Sequence, residues 1–218
     1  METKKNLKKS KTETEKFRFL ADKAREAGAV DARIIPADMI VVEDRVRLKC
    51  RSGCPSCGKY LTCPPYAPDI EDFRNYLRDY HSALLVKFKS PAYLDKSIRY
   101  CILRSLFDPG AQPAQKEKAI HFIMELSENC QHIHRTMLDL EKAAFNAGNP
   151  FAVTTISGTC RLCETCNIAT GICNHPTMRR FTPEALGINV VKTAADAGMP
   201  IRFPAPDNPE EIAILLID

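Results

Sequence analysis

Eight of the chain's ten cysteines fall into two tight clusters, and no other feature limits its possible folds so strongly. Cys50, Cys54, Cys57 and Cys63 form the first; Cys160, Cys163, Cys166 and Cys173 form the second. An even cysteine count suggests disulfides only in an oxidising compartment. The Lys-rich start of the chain is not followed by an apolar segment or a small-residue cleavage site, so no secretory signal is expected. A cytoplasmic address follows, and in a reducing cytosol thiols at such spacing point to metal ligation or catalysis.

The second cluster reads Cys-Arg-Leu-Cys-Glu-Thr-Cys from 160 to 166, with six residues between Cys166 and Cys173. Three cysteines at intervals of three wrap a loop around one object. Their thiolates converge on it while the intervening N–H groups point at its sulfurs, as in ferredoxins. Zinc sites more often pair two Cys-x2-Cys knuckles across a dozen or more residues. A four-iron, four-sulfur (4Fe–4S) cluster is therefore the favoured cofactor, with zinc as the alternative.

In the first cluster, Pro64 follows Cys63 as proline follows the last cysteine of bacterial ferredoxin motifs. Gly53 and Gly58 would let backbone approach sulfide closely. A zinc knuckle on Cys54 and Cys57 is the competing reading. In ferredoxins the cysteine before proline ligates the other cluster, so Cys63 has two possible destinations: its own site, or the site of Cys160, Cys163 and Cys166. Local ligation by each quartet is the expectation.

Around these loops the chain alternates helical and extended patterns. An amphipathic helix is expected from Glu13 to Gly28, and strands over Val30–Ile35, Met39–Leu48, Ser82–Lys89, Phe151–Ile156 and Glu211–Asp218. Asp69 caps a helix reaching about Tyr80. Residues 107–114 read as a turn-rich linker. From about Gln115 to Asn149, the positions Ile123, Leu126, Cys130, Ile133, Met137, Leu140 and Ala144 form a stripe on a helix of roughly 50 Å. A further helix from Thr182 towards Gly198 has a weak point at Gly187. The fold class expected is α/β: a layered sheet with packed helices, one of them long, carrying two cysteine-rich metal-binding loops. Residues 1–12 read as a disordered Lys-rich tail and 13–218 as one domain.

The motifs together resemble a family of predicted metal-binding proteins. They are Cys50-x3-Cys54, Lys59-Tyr60 ahead of Cys63-Pro64-Pro65, the helical Leu140-Glu-Lys-Ala-Ala-Phe-Asn-Ala-Gly148, the Cys160–Cys166 triplet, and Cys173-x-His175-Pro176. The resemblance runs from about residue 30 and takes in Arg180–Asn189, where the family often has Ser in the place of Thr182. The family pattern has Tyr-Gly after its second cysteine; this chain has Cys57-Gly58. The resemblance implies metal binding and supplies no reaction.

Composition narrows the function classes. The formal charge is +4, from 31 Lys and Arg against 27 Asp and Glu. Residues 1–16 hold six Lys and three Glu, and removing them leaves 25 basic and 24 acidic side chains. A near-neutral body argues against nucleic acid as a partner, and no apolar run approaches a membrane span. The expected role is one-electron transfer with a redox partner protein, or service as an accessory to a redox enzyme. A zinc-stabilised binding module and a cluster-dependent enzyme on a small molecule are the alternatives. Arg51, Lys59, Arg161, Arg179 and Arg180 neighbour the ligands in sequence, where positive charge would favour a reduced cluster. His175 is the best-placed acid–base candidate. His132 and His134 are expected at the surface or boundary of the long helix, and Cys130 as a small buried hydrophobe. There is no phosphate-cradling glycine loop and no nucleophile elbow.

Overall fold

The computed structural model describes residues 15–218. The Lys-rich stretch read as a tail lies outside the described residues. The described chain runs α1 (Arg18–Glu26), β1 (Asp31–Pro36), α2 (Asp44–Gly53), α3 (Ile70–Leu77), β2 (Ser82–Lys89), α4 (Ile102–Phe107), α5 (Pro113–Asn146), β3 (Val153–Thr154), α6 (Val190–Asp196) and β4 (Glu210–Ile217). The strands form one sheet in the order β1-β2-β4-β3, with every pairing antiparallel.

β2 and β4 occupy the centre in a register that sets Leu84 opposite Leu215 and Leu85 opposite Ile214. Ala83–Val86 and Ile212–Ile217 are continuously apolar because both sheet faces are covered. Leu84, Val86, Ala213, Leu215 and Ile217 pack under α1 and α5. Ala83, Leu85, Ile212, Ile214 and Leu216 pack against Phe73, Leu186, Ile188 and Met199 on the opposite side. Side chains alternate sides along a strand, so this continuous run serves two cores at once.

Helix α5 has 34 residues, about 50 Å at 1.5 Å per residue. Pro113 starts it, where a missing N–H costs nothing. Its stripe divides between two supports. Ile133, Met137, Leu140 and Ala144 lie on the sheet, whereas Ala119, Phe122, Ile123 and Leu126 pack with Ile98, Ile102 and Leu106. The turn-rich linker expected over 107–114 holds between Phe107 and Pro113, and α4 just before it was not anticipated.

Three further expectations are corrected. The segment 39–48 is not a strand: a 3-10 turn covers Ala37–Met39, Val42 makes an isolated bridge to Ile188, and α2 begins at Asp44. The reason is tertiary. Arg47, which is buried, needs carbonyl partners from outside its own segment. Its Nε donates to Ala185 O at 2.9 Å, and Nη2 donates to Ala67 O at 3.3 Å and to Pro68 O. Such charge-assisted bonds outweigh the modest extended preference of neighbouring valines. β3 keeps only two ladder residues, although Thr155 N still donates to Ile214 O at 2.7 Å. The helix expected from Thr182 breaks at its expected weak point, where Gly187 takes φ +79°, and its first part is only a 3-10 turn at Glu184–Leu186 ahead of α6. A Cβ there would stand 3.0 Å from Ile70 Cγ1, so glycine is required for space as well as for backbone angle.

Candidate metal centres

The first quartet is assembled by α2 and the turns behind it. Cys50 sits in the last turns of the helix, and Cys54 is its extended C-cap residue. The chain then folds back through short-range bonds: Cys57 N to Cys54 O at 3.2 Å, Cys63 N to Tyr60 O at 2.9 Å, and Gly58 N to Pro64 O at 2.8 Å. Cys57 Sγ donates to Pro64 O at 3.5 Å. Arg47 fixes α2 to this loop, because two of its acceptors, Ala67 and Pro68, immediately follow the Cys-Pro-Pro turn.

The thiols of each quartet sense one another. Burial pushes Cys63 up to about 11, and the neighbouring Cys54, Cys50 and Cys57 add to the rise. Burial also raises Cys50, followed by Cys54, Glu184 and Cys57, with Arg47 opposing. In the second quartet, burial raises Cys160; the Leu162 N–H opposes it, and Cys173, Cys166 and Cys163 add to it. Buried thiols that repel as thiolates favour the neutral form until a cation compensates them, so ligation there releases protons.

Cys160, Cys163, Cys166 and Cys173 line one cavity, whose far wall is the Tyr60–Thr62 segment of the first loop. Two backbone amides point at its sulfurs: Leu61 N donates to Cys166 Sγ at 3.4 Å and His175 N to Cys173 Sγ at 3.4 Å. Thr62 Oγ1 is buried beside the Cys63 thiol, whose rise it opposes, and meets no protein group in good hydrogen-bond geometry. Ser56 Oγ and Thr159 Oγ1 lie 3.0 Å apart and join the loops again. The two cysteine loops are thus in contact. Among the described residues, no three His, Cys, Asp or Glu side chains gather closely enough to hold a single metal ion.

The histidines divide differently from expectation. His175 approaches the quartet through its backbone while its ring is exposed, and His132 is exposed with Nε2 3.1 Å from Ala27 O. His134 is buried rather than superficial, because the segment after the second quartet crosses α5 there. Its Nε2 lies 2.8 Å from Met178 O, and burial lowers its pKa. Of the cationic neighbours, Arg51, Lys59 and Arg161 are exposed, while Arg180 is half-buried and paired with Glu141.

Sequence reasoning missed a polar cluster beside the second loop. Glu211 accepts from Ser157 Oγ at 3.0 Å, from Asn129 Nδ2, and from Cys130 Sγ at 3.5 Å. Cys130 is buried as expected and also donates to Glu211; burial and then Glu211 push its thiol up to about 12, which keeps it neutral and unreactive. Burial raises Glu211, while its three donors oppose the shift. A carboxyl raised in the folded state contributes stability that is present below its unfolded pKa and lost as pH rises through the folded value. Glu211→Gln is therefore expected to lose less stability than the parent between pH 4 and pH 7, read as urea midpoints. Parallel profiles would contradict the assignment.

Gly158 closes this cluster. Its φ is +65°, and a Cβ would meet Cys130 Sγ at 2.6 Å. Gly158→Ala should cost roughly 1–3 kcal/mol through crowding and backbone strain. Adding Cys130→Ala should recover the crowding part only. An unchanged denaturation midpoint for Gly158→Ala would refute this reading.

No helix among the described residues is long and apolar enough to cross a membrane. No curated protein and no solved structure matches the chain. A family model described as predicted metal-binding protein (DUF2284) matches residues 33–217, a span that takes in both cysteine loops and the strands β2, β3 and β4. The chain belongs to this family of predicted metal-binding proteins.

Proposed function

We propose that Cys50, Cys54, Cys57 and Cys63 hold one 4Fe–4S cluster, that Cys160, Cys163, Cys166 and Cys173 hold another, and that the protein transfers single electrons in the cytoplasm with a redox partner protein or as accessory to a redox enzyme. The observation that carries this reading is the arrangement of the second quartet: four cysteines around a shared cavity, with amide N–H groups directed at Cys166 and Cys173. Zinc needs four ligands converging on one point at about 2.3 Å from sulfur, whereas a cubane spreads its thiolates over four corners. Thiols lining a space suit the second geometry better.

Thr62 supplies an independent fit. A buried hydroxyl without a protein partner is costly unless something accepts its proton, and a sulfide or ligated thiolate in the adjoining cavity would do so. When bound, a 4Fe–4S cluster supplies one-electron chemistry at a potential set by charge, hydrogen bonds and exposure. The chain's own residues supply those controls. Leu61 N–H and His175 N–H stabilise negative charge on two sulfurs, and Arg179 lines the same cavity. The Tyr60–Thr62 segment belongs to the first loop and walls the second cavity, so the two centres would be neighbours.

Electron paramagnetic resonance of the dithionite-reduced protein tests both parts. The expected result is a signal from each centre, with mutual broadening when both are reduced. Failure to develop any signal, with no bleaching of visible absorption, would refute iron–sulfur ligation; two signals without interaction would refute their adjacency.

A further inference from the structure

A second cavity, of about 350 Å³, opens next to the second cysteine loop. It lies between α3, the sheet edge at β3, and the segment following Cys173. Phe73, Tyr76, Tyr80 and Phe181 supply its aromatic wall, and Leu216 closes one side. Its size falls within the roughly 300–1,000 Å³ of small-molecule sites, and such sites join an apolar wall to a few placed polar groups.

Arg179 is the polar group that stands out. It lines this cavity and also the one enclosed by the second quartet. Its neighbour Arg180 is committed to Glu141, with Nε 2.8 Å from Oε2. Arg179, half-buried, lies with its guanidinium carbon 5.4 Å from the Phe181 ring centroid and has no ion-pair partner among the described residues. The Tyr80 hydroxyl is already used, donating to Phe151 O at 2.8 Å, so Tyr80 offers its ring to a ligand. A depression between α2 and α3 pairs Arg74 with Asp44 and Glu71, and Arg47 with Asp69; only Arg51 is left over there, and no aromatic ring lines it. An uncommitted cation beside aromatic rings distinguishes the β3 cavity.

We infer that this cavity binds a small planar aromatic molecule bearing one carboxylate, its ring among Tyr76, Tyr80 and Phe181 and its carboxylate on Arg179. A guanidinium presents a planar fork that matches a carboxylate with two parallel hydrogen bonds. Offset or edge-on packing against the phenol and phenyl rings fixes the plane of the ligand. Because Arg179 also borders the second quartet's cavity, the ligand would sit one side chain away from that centre. The binding claim goes beyond the electron-transfer proposal and holds whichever metal the quartets take.

The test is titration of the folded full-length protein with naphthoate, followed by fluorescence anisotropy, alongside its neutral analogue naphthylmethanol. Saturable binding of naphthoate is expected, with the neutral analogue at least about tenfold weaker. Arg179→Gln should bring naphthoate down to the level of the neutral compound, and Arg179→Lys should restore part of the difference. Tyr76→Ala, at a largely exposed position that folding tolerates, should weaken both ligands together. Circular dichroism verifies that each variant is folded. No saturable binding, equal affinity for the two ligands, or an Arg179→Gln protein that binds naphthoate like the parent would each overturn the inference.

Discussion

Protein carrying Cys173→Ala is expected to retain about four of the eight irons that two 4Fe–4S clusters provide. The loss should fall on the second centre alone. Cys173 lines the same cavity as Cys160, Cys163 and Cys166, and the thiols raising Cys160 are Cys173, Cys166 and Cys163. Those raising Cys63 are Cys54, Cys50 and Cys57. Each quartet is therefore electrostatically local. In a ferredoxin-like crossed arrangement, Cys63 would complete the second site and Cys173 would be dispensable. Iron content and resonance signals of Cys173→Ala and Cys63→Ala, measured side by side after anaerobic preparation, separate these cases. A Cys173→Ala protein with its full iron complement would contradict local ligation.

The second large effect lies far from sulfur. Leu140→Ala should destabilise the fold by about 3–5 kcal/mol, since truncating a fully buried leucine loses its transfer energy and leaves a cavity. Leu140 is completely inaccessible and packs among Leu84, Met137 and Leu215 at the junction of α5 with the sheet. That loss is a large share of the roughly 5–15 kcal/mol that stabilises a typical protein. Met124, on the same helix but 61% exposed, provides the control: Met124→Ala should change stability by less than about 0.5 kcal/mol. Urea unfolding of the two variants measures the contrast. Comparable midpoints would mean that α5 is not anchored to the sheet in this register.

The parts of the fold legible in sequence are those whose partners are implied by periodicity. The β2 and β4 runs announce burial on two faces, and the stripe on α5 announces one long helix face. Where distant groups decide, the sequence misleads. Arg47 converts an apparent strand into α2 by reaching carbonyls at Ala67, Pro68 and Ala185, none of which its own segment reveals. His134 is buried by Met178, a residue of the chain that follows the second quartet.

The candidate centres follow the same division. Cysteine spacing marks both quartets, but the amide that Leu61 directs at Cys166 crosses 105 residues of sequence. No local pattern carries that contact, nor the buried hydroxyl of Thr62. Glu211 read as the start of a strand. Its role beside Asn129, Cys130 and Ser157 emerges only when β4, α5 and the turn after β3 are brought together. Arg179 could be ranked above its neighbour only after Glu141 was seen to occupy Arg180.

Metal and acid-labile sulfide analysis of anaerobically purified protein tests the proposed cofactors most directly. Brown protein with about eight irons and eight sulfides per chain, bleached by dithionite, is expected. Colourless protein with about two zinc ions and no sulfide would contradict it.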